Sequence, residues 1–142
     1  MKKLMMAAVA LCLACGLLTD GARPEDRQDD NALKTLMQAK RARSHDLVDA
    51  LVREDFDALK KHARQLGILS QAAEWQVLKT PEYRQHSVEF RSAADSLAKA
   101  AEKKNLDGAA LAYIQVTLKC VACHKYVNRV RNASFDDGAD GL

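Results

Sequence analysis

The chain has 142 residues, of which 48% are apolar, 29% charged and 5% aromatic, with two prolines, six glycines and a formal charge of +3. That length suits one small domain rather than a two-domain enzyme, and the scarcity of Gly and Pro argues against a sandwich or a loop-built fold. With so few aromatics, a core of Leu, Ala and Val points to a helical bundle with small interface residues, or to a bundle packed around a non-protein group.

Lys2 and Lys3 precede an unbroken non-polar run from Leu4 to Leu18, followed by Thr19 and Asp20. A transmembrane helix needs about 20 such residues, so 1–18 read as an export signal, with a retained membrane anchor as the alternative. Ala14-Cys15-Gly16 offers a cut after Gly16. Leu13-Ala14-Cys15 resembles a lipoprotein box instead, and lipid on Cys15 would tether the exported protein to a membrane. The expected location is therefore periplasmic or otherwise exported. Without Lys2 and Lys3 the charge falls to about +1, which leaves no basis for a nucleic-acid partner.

Residues 19–29 are polar, contain Pro24 and lack periodicity, so they read as a flexible lead-in. The main domain is expected over 30–131. Helix A runs from Asp29 or Asp30 to about Val52, with Leu33, Leu36, Met37, Leu47, Val48 and Leu51 on its apolar stripe. Lys40, Ser44 and His45 interrupt that stripe. Helix B starts around Arg53 to Asp55 and carries Phe56, Leu59, Ala63, Leu66, Leu69 or Ser70, and Ala73 at three-and-four spacing. Gly67 lowers its helix propensity by about 1 kcal/mol, a cost that close packing would offset. Trp75, Val77 and Leu78 then close one end of the bundle.

Thr80-Pro81 reads as a cap followed by proline in the first turn of helix C, which extends to about Lys104 through Tyr83, Phe90, Ala94, Leu97 and Ala101. After a polar break, with Asp107 as a candidate cap, helix D is expected from Gly108 to Arg131. Its inward stripe is read as Ala110, Tyr113 or Ile114, Leu118 and Val121, with Val127 or Val130 beyond. Residues 132–142 read as a disordered tail. Four helices with short links specify an all-α, antiparallel up-down four-helix bundle.

Helix D holds the chain's most specific motif, Cys120-Val121-Ala122-Cys123-His124. CxxCH is the c-type haem attachment pattern, in which both thiols bond to haem vinyl groups and the imidazole binds iron. On a helix, positions i, i+3 and i+4 share a face, which suits two thiols at one ring edge and an imidazole turned to its centre. A redox dithiol normally sits where a strand enters a helix, and no strand pattern surrounds this pair. A structural zinc site wants four ligands, and the mature chain has no second cysteine pair.

With CxxCH in its last helix and a Leu36-Met37 pair in its first, the chain resembles the cytochrome c prime family, the class II c-type cytochromes, including its low-spin methionine-ligated relatives. The resemblance covers roughly Asp30 to Arg131. It implies a four-helix bundle with one covalent haem c near the C-terminal helix, His124 as proximal iron ligand, and either Met37 ligating the other face or Leu36 blocking it. It also implies a homodimer through helices A and B. The family's aromatic and arginine after the motif are displaced here to Tyr126 and Arg129, so Arg129, Arg131 and Lys40 become candidate partners for the haem propionates. His45, two turns beyond Met37, is a candidate for the haem edge or for a competing iron ligand, whereas His62 and His86 read as solvated. Tyr113 and Trp75 are candidates to pack on the porphyrin.

No paired carboxylates, activated nucleophile or phosphate loop accompanies the motif, so an enzyme is not expected. The leading reading is an exported monohaem cytochrome carrying single electrons between redox protein partners. Met37 on iron would give that closed carrier, because a thioether favours reduced iron. An open sixth position would give instead a five-coordinate protein binding nitric oxide or carbon monoxide. A third reading is a haem subunit of a larger redox complex.

Overall fold

The computed structural model describes residues 24–72 and 78–139, and the leader with Cys15 and the segment holding Trp75 lie outside them. The chain divides into two compact units, Met1–Asn31 and Ala32–Leu142. The described part of the first is the opening of α1. The described residues form four helices and no strand: α1 (Pro24–Val52), α2 (Phe56–Leu69), α3 (Pro81–Glu102) and α4 (Leu106–Ala139).

The helix boundaries follow local chemistry. Asp55 caps α2 by accepting the Ala58 N–H at 2.9 Å. Thr80 caps α3 by accepting the Tyr83 N–H at 3.2 Å, with Pro81 in the first turn as expected. α4 departs from the expectation: Asn105, not Asp107, is its cap, accepting the Gly108 N–H at 2.9 Å. A Cβ at Gly108 would stand 2.5 Å from the Asn105 amide nitrogen, so glycine makes room for that cap. Glu54 and Lys104 follow α1 and α3 in the left-handed region, at φ 56° and 52°. The next N–H groups, of Asp55 and Asn105, close back on the carbonyls of Ala50 and Ala100 at 2.9 and 3.0 Å, the pattern of a Schellman stop. Two outer boundaries also shift. Residues 24–29 of the lead-in are helical, and helix continues beyond Arg131 to Ala139.

Within the second unit, α3 packs closely on both α2 and α4, while α1 makes few close backbone approaches. The main core joins Leu47, Leu59, Leu66, Phe90, Leu97 and Val116 through a lattice of alanines that includes Ala63, Ala94, Ala98 and Ala109. Small interface residues thus bring helices together as the composition suggested. Lys119 bridges Glu89 at 2.9 Å and Tyr126 shares a 2.6 Å hydrogen bond with Thr80, which together set α3 antiparallel to α4. The Ser44–Tyr113 hydrogen bond at 3.3 Å does the same for α1 and α4 when taken with Lys40 beside Cys120.

α3 buries the stripe expected of it. α4 does so only in part: Tyr113, Val127 and Val130 are half-buried against the cores, but Ala110, Ile114, Leu118 and Val121 face solvent, and Ala109, Ala112, Val116 and Cys123 face the core. The reason is that this helix carries two apolar stripes, and periodicity alone does not say which one packs. By length and composition Leu106–Ala133 would also span a bilayer, yet here it supplies the core wall that meets α3. Gly67 likewise misses its expected role, since a Cβ there meets nothing within 4 Å.

Candidate functional site

The face of α4 that turns toward α1 carries Cys120, Cys123 and His124 at i, i+3 and i+4. Cys123 is buried, Cys120 half-buried and His124 exposed, and both cysteines are free thiols. Because α1 stands off α4, the space between them is a slot. One part, of about 380 Å³, is lined by Met37, Lys40, Ser44, Val116, Cys120, Cys123 and His124 among others. An adjoining part of about 350 Å³ takes Leu33, Tyr83, Val127 and Arg131 into its wall and shares Met37, Cys123 and His124. Each volume lies within the range usual for small-molecule and cofactor pockets.

Leu36 and Met37 part company here. Leu36 is buried with Tyr83, Cys123 and Tyr126, whereas Met37, half-buried at the edge of the same cluster, lies on the wall of both parts of the slot. Adjacent helical positions differ by about 100° around the axis, so only one of the pair can face a given space.

Lys40 is buried, 7% exposed, with its ammonium 3.6 Å from the centre of the Phe90 ring. A cation over a ring face is attracted by the ring's quadrupole, which lets an amine survive where water is scarce. Burial still pulls its pKa down to about 8, with Cys120 and Cys123 acting in the opposite sense. Burial also raises the pKa of both thiols, against the pull of the Lys40 charge, so both stay protonated at neutral pH.

The other sequence candidates lie elsewhere. Arg129 sits 5.6 Å from the Tyr126 ring centre and lines neither part of the slot. His45 is exposed and also lines neither. Tyr113 bonds Ser44 at one end of the slot. His62, expected to be solvated, is 3.5 Å from the Asp46 carboxylate, and His86 lies tilted against the Tyr126 ring, 5.4 Å between centres, with its Nδ1 buried and unpartnered. Arg131 does line the slot, as does Arg41, which the sequence reading passed over. Its signal was available: Arg41 follows Met37 by four positions and therefore shares its face. Among the described residues no three His, Cys, Asp or Glu side chains gather as a metal-holding group, so the two thiols lack the further ligands of a zinc site. No family model, curated protein or solved structure matches the chain.

Proposed function

We propose that this chain is an exported monohaem c-type cytochrome of the cytochrome c prime kind, and that it carries single electrons between redox proteins. One observation supports this most directly: both thiols and His124 border a slot whose opposite wall presents Met37 while Leu36 turns into the core. When bound, haem supplies the one-electron couple of its iron.

The chain's own residues do the rest. Cys120 and Cys123 would hold the group covalently, each thiol adding its S–H across one vinyl double bond, sulfur to the inner carbon and hydrogen to the outer, so that attachment would need no oxidant. The two sulfurs would thereby hold the group against α4, and His124, which borders both parts of the slot, would supply the imidazole that binds its iron. Met37 would offer a thioether from α1, a soft ligand that would favour reduced iron. Arg41 and Arg131 stand at the slot's border as charge partners for the propionates. The apolar wall of Val116, Leu66 and Tyr83 would limit the access of water to the bound group.

The test begins with the intact mass of protein matured in an exporting, haem-attaching host. One covalent haem is expected, and none in the Cys120→Ser/Cys123→Ser variant. The reduced protein should then refuse carbon monoxide and its oxidised spectrum should show a methionine-to-iron charge-transfer band. Both properties should be lost in Met37→Ala. A bare polypeptide from the wild-type gene would overturn the whole reading. A high-spin reduced form that takes up carbon monoxide would replace the carrier with the gas-binding alternative. A low-spin spectrum unchanged in Met37→Ala would move the ligand role to Lys40, which lines the same slot; His45 lines neither part of it.

A further inference from the structure

The core face of α4 is formed by Ala109, Ala112, Val116 and Cys123. On the opposite side Leu111, Ile114, Leu118 and Val121 are 66%, 53%, 53% and 46% exposed. Single exposed hydrophobics are ordinary, but a continuous row of four along one helix marks a contact surface. Their alternating three- and four-residue spacing is that of the a and d positions of a coiled-coil seam. The side chains flanking the row are Ala110, Gln115, Thr117 and Ala122, all uncharged, and Lys119 is turned away to its salt bridge with Glu89.

We propose that this row, and not the first two helices through which the resemblance implies pairing, is the interface of a homodimer in which α4 packs antiparallel against α4 of a second copy. The ends of the row identify the occupant. In antiparallel pairing about a two-fold axis level with Val116, Leu111 meets the partner's Val121 and Ile114 meets the partner's Leu118. The same register continues the seam outward to Asp107 at one end and Lys125 at the other, both exposed. Asp107 therefore falls opposite the partner's Lys125, and symmetry repeats the pair at the far end. Opposite charges placed equally far from the centre of the row are what self-pairing requires; neither a bilayer nor an unrelated helix requires them. A helix pair of this length falls at the low end of specific interfaces, about 1,000–1,200 Å² in all, so the dimer dissociates on dilution. The slot opens on the other side of α4 and stays accessible, and the inference does not depend on what fills it.

Sedimentation of the purified chain over about 1–300 μM checks this, because a self-associating chain shifts with concentration. The wild type is expected to pass from monomer to dimer. Leu118→Glu should weaken association at least about tenfold, as a charge in the centre of a seam does. Asp107→Lys and Lys125→Asp each place like charges across the two-fold and should weaken it by roughly three- to tenfold, while the double reversal restores it. Circular dichroism confirms that each variant keeps its helices. A monomer at every concentration, a dimer indifferent to Leu118→Glu, or a double reversal no better than the singles would overturn the proposal. Flotation of the monomer with phosphatidylcholine vesicles would give the surface to a membrane instead.

Discussion

Lys40 holds a charge where a bundle core normally holds a methylene, and the sign of its effect can be worked out. Its amine titrates near pH 8 in the folded chain against 10.5 for the ordinary side chain, so between those values the unfolded state binds the extra proton. Stability therefore rises with pH through that window, and the full penalty, about 3 kcal/mol, applies below pH 8. The two thiols act oppositely, because their raised pKa values remove stability as pH climbs past 9.0. In haem-free Cys120→Ser/Cys123→Ser protein the urea midpoint should thus climb from pH 8 to 10.5, and Lys40→Met should flatten the climb while raising stability at pH 7. A flat profile before that substitution would mean the amine reaches water. Only part of this was legible in the sequence. The spacing of the two thiols and His124 on one face is visible there, and Lys40 interrupts an apolar stripe visibly, but its place over Phe90 joins residues from separate helices.

At the scale of single helices, the sequence was most informative where one stripe and one cap agreed. α3 has both, with Thr80-Pro81 at its start and Tyr83, Phe90, Leu97 and Ala101 buried as their spacing implied. α4 offered two stripes, and the inner one proved to be the one built largely from small residues, because close approach to α3 selects Ala109 and Ala112 over Leu111 and Ile114. α2 raises the question of its glycine. With open space around the missing Cβ and no positive φ at any described glycine, Gly67 serves no visible contact. Gly67→Ala should therefore raise the stability of the chain by about 0.5–1 kcal/mol in urea denaturation, the ordinary difference in helix propensity. A loss of stability would show that the glycine has a role the packing does not reveal.

For the second unit as a whole, cohesion is uneven. α2, α3 and α4 share the alanine-lined core, whereas α1 contributes Leu47 and Ala50 at one end and stands away from α4 along the slot. Free energies of local opening follow such differences in packing. In haem-free protein the amides of α1 around Met37 and Lys40 should exchange with deuterium well before those of α3 around Phe90 and Leu97. Haem attachment should slow the α1 amides selectively, and equal rates in both helices would contradict this division. The sequence supplied the count of helices among the described residues but not the gap, since how far one helix stands from another depends on side chains that meet only in three dimensions.

The two left-handed corners at Glu54 and Lys104 have a practical consequence. Side chains other than glycine pay roughly 1–2 kcal/mol to adopt that conformation, and both corners lie outside every residue lining the slot. Glu54→Gly and Lys104→Gly should each raise the melting temperature while leaving the visible spectrum unchanged, so the scaffold can be made hardier without retuning whatever it carries.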